Sequence, residues 1–361
     1  MAVKVYVVDD SAVVRQAIQH LLQDERDIEL IGSAPNAMLA AVAIRKRRPD
    51  VLLLDIEMPG MDGLTFLRQI MDEDPIPTVI CSTLSTSGSQ VALEALASGA
   101  VAVMAKPRMG LKQFLDESRL EVVQTLKAAA ASRPRAGAKP PAGGAASAAS
   151  AAPAKPRPAP TQAVAGVHAL SVNKPVVMGA STGGTQALEA VLTRLPVDCP
   201  GIAIVQHMPE NFTRMYAERL NNLCAMEVRE ARSGDRLQRG TVLIAPGGKH
   251  MQLTKSVGQY FVKVLDGPPV NRHKPSVDVL FRSAAEVAGK DVMGIILTGM
   301  GDDGARGMKA MHDGGARTVA QDEASCVVFG MPMEAIKLGG VDDVRPLSGM
   351  ADAILRFDAR A

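Results

Sequence analysis

The chain contains no tryptophan, and aromatic residues make up only 3% of its 361 positions. Single-stranded nucleic acid is held largely by stacking on exposed rings, so this composition argues against that function. Cysteine is scarce as well. Cys81, Cys199, Cys224 and Cys326 stand far apart and none belongs to a CxxC pair, which argues against a zinc site or a disulfide framework and suits a reducing cytoplasm. A formal net charge of +2 supplies no global attraction to nucleic acid or to a membrane surface. No apolar run approaches the ~18 residues of a membrane span. The N-terminus "MAVKVYVVDD" has an apolar run that ends in two acids and is too short for a signal-peptide core. A cytoplasmic protein is expected.

Acidic residues are missing from one whole stretch: none occurs between Glu121 and Glu189. From about Ala128 to Ala165 that stretch is Ala, Pro, Gly and Ser with a few Lys and Arg. It lacks the large apolar side chains that would offset its ordering entropy, so it reads as a flexible tether. A basic arm for nucleic acid is the alternative, which the spread-out charges and the lack of aromatics disfavour. The expected division is residues 1–126, an Ala/Pro-rich linker at 127–170, and residues 171–361.

Before the tether, short β-branched or aliphatic runs ("KVYVVDD", "IELIGSA", "VLLLDIE", "PTVICST", "AVAVMAKP") alternate with helical patterns. Alternation of this kind predicts a five-stranded parallel sheet with helices on both faces. Chemistry in such sheets gathers at the C-terminal strand ends. Those ends carry Asp9 and Asp10, then Asp55, then Ser82 and Thr83, then Lys106 before Pro107. Three carboxylates in one crevice repel one another, and a hard cation such as Mg²⁺ relieves the repulsion. A carboxylate beside Mg²⁺ can attack a phosphoryl donor, while a lysine and a hydroxyl meet the phosphoryl oxygens. Taken singly, each residue is as well explained as a helix cap or a loop charge, Ser11 or Asp10 being able to cap the first helix. Taken together they read as one site. "VVDDS", "LLLDIEMPGMDG" and "AKP" resemble the receiver domain of two-component response regulators, a flavodoxin-like fold, over roughly residues 3 to 125. The resemblance implies phosphorylation of Asp55, a Mg²⁺ site formed by Asp9, Asp10, Asp55 and the backbone carbonyl of Glu57, and a switch pair of Ser82 and Lys106. Val103 stands where many receivers have an aromatic residue, so a rotating-ring switch is not expected.

After the tether the alternation resumes with "KPVVMGAS", "GIAIVQHM", "GTVLIAPGG" and "DVMGIILTGMG", while "HMQLTKSVGQYFVKVLD" reads as a hairpin turning at Gly258. The expectation is a doubly wound α/β domain with an antiparallel hairpin. "MGASTGGTQAL" places Ser181 at a bare strand–turn–helix junction. It lacks the Lys of a P-loop, and Ser181 stands where a dinucleotide fingerprint needs its second glycine. "GASTG" fits GxSxG, in which small neighbours allow a sharp bend and the next helix offers free N–H groups to an oxyanion.

A serine nucleophile needs a base. His207 ends an apolar strand at the same sheet edge, whereas His20, His168 and His312 are poorly placed and His250 and His273 read as rim residues. Asp302 and Asp303 follow a buried strand and a Gly-rich turn. One would orient His207 and the other would cap a helix, and the Met300 N–H could face the oxyanion. The order Ser, His, Asp differs from that of α/β-hydrolases.

"GASTGG", "QHM", "APGGKHM", "PSVDVLF" and "LTGMGDDGA" together resemble the catalytic domain of the chemotaxis protein-glutamate methylesterases, the CheB family, over about residues 173 to 357. The resemblance implies a triad of Ser181, His207 and Asp303, with backbone N–H groups of Thr182 and Met300 as oxyanion donors. It implies hydrolysis of glutamate γ-methyl esters on chemoreceptors, and deamidation of certain receptor glutamines, with no cofactor for the ester chemistry. The implied partners are methyl-accepting chemotaxis receptors and a chemotaxis histidine kinase, with no nucleic acid and no membrane insertion. The chain is expected to act as a monomer. A DNA-binding output and a catalytically dead docking module are the rival readings; a missing helix-turn-helix pattern weighs against the first and the intact Ser, His and Asp against the second.

Overall fold

The computed structural model describes residues 2–58, 61–82, 86–106, 112–132 and 174–359, the side chains of 86, 87, 89, 112–118 and 121 excepted. Thr83, Pro107, His168, residues 133–170 of the expected linker and residues 171–173 after it lie outside the described residues.

The N-terminal domain runs β1 (Val3–Val8), α1 (Ala12–Leu22), β2 (Ile28–Ala34), α2 (Ala37–Lys46), β3 (Val51–Asp55), α3 (Gly63–Glu73), β4 (Thr78–Ser82), α4 (Thr86–Ala97), β5 (Ala102–Ala105) and α5 (Lys112–Ala130). All sheet pairings are parallel, in the order β2-β1-β3-β4-β5. Every residue of β3 and β4 is buried, which is why both read as continuous apolar runs. The strand order reverses between β1 and β3, and the crevice there receives Asp9 and Asp55. Ser11 caps α1, its Oγ accepting from Val14 N at 3.4 Å. Gly63 opens α3 directly against β3, where a Cβ would stand 2.1 Å from the Asp55 carbonyl oxygen. The last turn of α5 continues to Ala130, four residues into the segment assigned above to the linker. Ala128 and Ala129 are buried there and Lys127 pairs with Asp27 at 2.8 Å, so burial, not composition, sets the boundary.

The C-terminal domain runs β6 (Val176–Ala180), α6 (Gly184–Leu192), β7 (Ile202–Gln206), α7 (Phe212–Leu223), β8 (Glu227–Glu230), β9 (Thr241–Ile244), β10 (His250–Ser256), β11 (Gln259–Leu265), α8 (Val277–Ala288), β12 (Met293–Ile296), α9 (Ala305–Asp313), β13 (Arg317–Gln321), α10 (Met331–Lys337), β14 (Asp343–Arg345) and α11 (Met350–Ala359). Seven parallel strands form one sheet, ordered β14-β13-β12-β6-β7-β9-β8. The chain winds outward from β6 through β7 to β9 and β8, then returns to β12 and winds the other way. The switch point therefore lies between β6 and β12. The hairpin β10–β11 turns at Gly258, with φ 73°, and forms a separate two-stranded sheet.

The two domains touch. α4 lies against α6 and α7, and the apolar cluster holding Leu93 and Leu96 continues into Met208 and Phe212. Val327 packs on the other face of the N-terminal sheet's core. Among the described residues, no helix is long and apolar enough to cross a membrane.

Candidate active site and phosphoacceptor site

In the N-terminal crevice Asp9 and Asp55 are buried, and Lys106 Nζ reaches Asp55 Oδ2 at 2.6 Å and Asp9 Oδ2 at 3.3 Å. Asp10 is exposed, yet its carboxylate lies within 4.8 Å of those of Asp9 and Asp55. Ser82 is fully buried at the adjacent strand end, where its carbonyl accepts from Lys106 N at 2.8 Å. Glu57 donates its N–H to Asp55 Oδ1 at 3.0 Å. Burial raises the Asp9 carboxyl, with Lys106 opposing and the Asp55 charge adding to the rise. Burial alone would lower the Lys106 ammonium, but its hydrogen bond and attraction to Asp55, together with Asp9, hold it above its ordinary value.

One ammonium thus serves a cluster of three carboxylates, pairing with Asp55 at 2.6 Å and more loosely with Asp9 at 3.3 Å. A hard divalent cation fits that donor set, with Asp9, Asp10 and Asp55 as its oxygen ligands.

In the C-terminal domain Ser181 follows β6 at the switch point. Its N–H donates to the Thr298 carbonyl at 3.0 Å, across to the segment that leaves β12. The turn is possible because Gly183 adopts φ 77° and because Gly184 has no side chain. A Cβ at Gly184 would stand 2.1 Å from Gln206 Oε1. Gln206 Nε2 in turn donates to the Ser181 carbonyl at 2.9 Å and the His207 carbonyl at 3.1 Å, tying the two strand ends together. Ala180 pairs with Gln206, and His207 N donates to the Ala180 carbonyl at 3.1 Å. Ser181 and His207 are therefore neighbours across the ladder, at ends of adjacent strands.

The His207 side chain is 8% exposed, and its Nε2 lies 2.8 Å from Asp303 Oδ2. Its Nδ1 is buried with no hydrogen-bond partner. Asp303 is fully buried but richly solvated by the protein. Oδ2 also accepts from Val277 N at 2.7 Å, and Oδ1 accepts from Asn271 Nδ2 at 2.8 Å, Ser276 Oγ at 2.7 Å and Asp278 N at 3.3 Å. Burial would raise its carboxyl, but the hydrogen bond and charge of His207, with those of Asn271 and Ser276, hold it far below the usual carboxylate range. Asp303 is thus kept ionised against the ring.

Asp302 does not cap α9. Gly304 occupies the cap position with φ 91° and no side-chain bond, while Asp302 pairs with Arg272 at 3.7 Å. The left-handed backbone required there leaves no place for an Asp cap. Among the described residues the N–H groups of Thr182 and Met300 donate to no acceptor, as free oxyanion donors would be. His250 is buried and structural, its Nδ1 accepting from Ser276 N at 3.2 Å and its Nε2 3.0 Å from the Pro268 carbonyl. His312 lies on α9 and His20 on α1, both away from this edge.

Asn271 and Ser276 carry no sequence signal for these contacts, and His273 is expected only at the rim. His273 lies flat against His207, with ring centroids 3.8 Å apart and planes 8° from parallel. Burial and the neighbouring His207 push its imidazole from 6.5 down to about 4. The folded ring is then neutral, while the unfolded one takes up a proton below pH 6.5. Stability is therefore full above pH 6.5 and lost as pH falls toward 4, by up to about 3 kcal/mol at roughly 1.4 kcal/mol per pH unit. Denaturant melts of His273→Phe, which keeps a stacking ring, should lack most of that loss between pH 6.5 and 4. An unchanged pH slope in the variant would contradict the assignment.

The turn bearing Ser181 is also where the domains meet. Gly183 N donates to the Val101 carbonyl at 3.3 Å, and Gln186 Nε2 donates to the carbonyls of Leu96 at 2.8 Å and Ala100 at 3.0 Å. The segment joining α4 to β5 thus sits on the first turn of α6, and Thr182 is only 9% exposed.

Comparison with known proteins agrees with both halves. The CheB methylesterase family matches residues 176–354, and the response regulator receiver domain family matches residues 5–117. A protein-glutamate methylesterase/protein-glutamine glutaminase 2 of Chromobacterium violaceum is 54% identical over 358 residues, covering 99% of this chain and all of that protein. A protein of the corresponding name, numbered 1, from Xanthomonas oryzae pv. oryzae is 56% identical, covering 97% of this chain and 99% of its own. The crystal structure of the Thermotoga maritima CheB methylesterase catalytic domain aligns with a TM-score of 0.50 at 36% identity, covering 51% of this chain and 98% of its own. With both family models matched and relatives at this identity over nearly the whole of both chains, the chain belongs to the CheB methylesterase family.

Proposed function

We propose that the protein is a phosphorylation-regulated protein-glutamate methylesterase and protein-glutamine glutaminase, with Ser181, His207 and Asp303 as its catalytic triad. The observation that carries this reading is the buried His207 ring, bonded to Asp303 through Nε2 and left with a free Nδ1 on the strand beside Ser181. Nδ1 takes the Ser181 proton as Oγ attacks the ester carbonyl. The N–H groups of Thr182 and Met300 receive the oxyanion, each such donor typically contributing roughly 10²–10³ in rate. His207 returns the proton to the leaving methoxide, and methanol departs. Water then attacks the acyl-serine, losing its proton to His207, which passes it to Ser181 Oγ as the acyl–oxygen bond breaks and the glutamate carboxylate is released. With a glutamine substrate ammonia leaves in place of methanol. The substrates of this reading are esterified or amidated side chains of chemoreceptors. Release of methanol from methylated receptor tests it.

The N-terminal domain supplies regulation. Asp55 is the phosphoacceptor and a chemotaxis histidine kinase the donor. Asp9, Asp10, Asp55 and the Glu57 carbonyl would hold Mg²⁺, which neutralises phosphoryl charge when bound. Lys106 and Ser82 would meet the phosphoryl oxygens, at the strand ends next to the α4–β5 segment that covers Gly183. Asp55→Asn should abolish labelling by a small phosphodonor, because an amide cannot act as the nucleophile. It should leave the unstimulated esterase rate within about twofold. Labelling of the variant equal to that of the parent protein would place the phosphosite elsewhere.

A further inference from the structure

A cleft of about 410 Å³ opens one to two strands beyond His207 and takes no part in the chemistry above. Its walls come from the loops that follow β7, β8 and β9, with the first turn of α7. Pro209 and Glu210, just past His207, abut Gly247 so closely that a Cβ there would stand 2.6 Å from Glu210 N. The cleft thus begins at Glu210, three residues past His207. Its base is braced by Thr213, whose Oγ1 donates to Glu230 Oε1 at 2.6 Å and accepts from Gly247 N at 3.0 Å.

Three cations line it: Arg214 on α7, Arg232 after β8 and Lys249 after β9. All three are exposed, and among the described residues none has an ion pair or a side-chain hydrogen bond. The cations elsewhere on this domain mostly sit on carboxylates, as Arg219 does on Glu189 and Arg239 on Asp358. Against the three stand the carboxylates of Glu210 and Glu230, the latter held by Thr213, so three positive charges face two negative ones in the cleft.

We infer that this cleft binds a second, free carboxylate of the protein substrate, a glutamate or aspartate side chain near the ester under attack. The inference rests on the esterase reading and adds to it a determinant of specificity. Strands lie about 4.8 Å apart, so Lys249 and Arg232 stand roughly 10 to 15 Å from Ser181 along the sheet edge. That is about seven to ten residues of a substrate in helical form at 1.5 Å per residue, or about three to five in extended form at about 3.3 Å per residue. A methyl ester or a glutamine at the second position carries no charge and gains nothing from the cleft. Each hydrolysis, by creating a carboxylate, therefore improves the segment as a substrate for its remaining esters.

The test uses the full-length protein with phosphodonor and peptides bearing one glutamate γ-methyl ester. A second position, three, seven or eleven residues away, is Glu, Gln or Lys. At low salt the KM of the best-spaced Glu peptide should be about three- to tenfold below that of its Gln counterpart, with kcat within twofold, and added salt should erase the difference. Arg214→Glu with Arg232→Glu should reverse the order, so that the Lys peptide has the lowest KM. Equal KM for Glu and Gln peptides at every spacing, in the parent protein at low salt, would overturn the cleft assignment alone. Failure to hydrolyse any peptide would overturn the esterase reading and this inference with it.

Discussion

Ser181→Ala should eliminate methanol release, lowering kcat by about 10⁴- to 10⁶-fold, the range seen when the nucleophile of a triad is removed. The fold should be unaffected. The Ser181 bonds that hold the turn are made by its backbone, with Thr298, Gly184 and Gln206, and all survive the substitution. Thermal melting within a degree or two of the parent, combined with loss of activity, is the expected pair of results. Activity above about 1% of the parent rate would mean that another group attacks the ester.

Asp303→Asn should be nearly as severe, costing about 10³- to 10⁴-fold. The carboxylate accepts on both oxygens, from His207 and Val277 on one and from Asn271, Ser276 and Asp278 on the other. An amide has one acceptor oxygen and one donor nitrogen. Whichever way it turns, its NH₂ faces a group of donors. If the NH₂ meets His207, the ring must expose its proton on Nδ1, the nitrogen that should receive the serine proton. If it meets Asn271 and Ser276, a buried network is broken and stability falls. Asp302→Asn is the matched control. That side chain is 46% exposed and bonded only loosely to Arg272, so the rate should change less than about twofold. Methanol release by the two variants at equal concentration separates them, and equal small losses would remove Asp303 from the triad.

The proposed triad is legible in the sequence because its members end apolar strands of a parallel sheet. "VVMGAS", "IAIVQH" and "IILTGMGDD" each announce a strand and deliver a reactive residue to the same edge. Their adjacency follows from the topology alone. The same logic placed Asp9, Asp55 and Lys106. What surrounds Asp303 had no such signature. Asn271, His273 and Ser276 lie in the irregular segment between β11 and α8, where no periodicity shows which atoms fold back onto the sheet. Asn271 and Arg272 take positive φ values of 49° and 68° there, a left-handed backbone that asparagine tolerates but arginine does not advertise. The outer strands were equally silent. β8 is "EVRE" and β14 only "DVR", too short and polar for an apolar-run reading. The seam between the domains was hidden for a different reason. Its acceptors are the carbonyls of Leu96, Ala100 and Val101, and any residue type provides a carbonyl.

In the proposed reading, that seam is the route by which phosphorylation would reach the serine. The α4–β5 segment that rests on Gly183 and Gln186 leads within a few residues to Lys106, which is paired with Asp55. A phosphoryl group on Asp55 would compete for Lys106 and Ser82 and so shift the segment that covers the turn. The gain available is limited by the interface energy that is lost, as in any population shift. The isolated Thermotoga maritima catalytic domain, known as a folded structure by itself, makes the decisive comparison practical. Methanol release from methylated receptor is measured for the full-length chain without phosphodonor, for the same chain with phosphodonor, and for residues 171–361 alone, at equal concentration. The covering account predicts that the second and third rates both exceed the first and that the fragment ignores phosphodonor. A fragment no faster than the unphosphorylated full-length chain would contradict it.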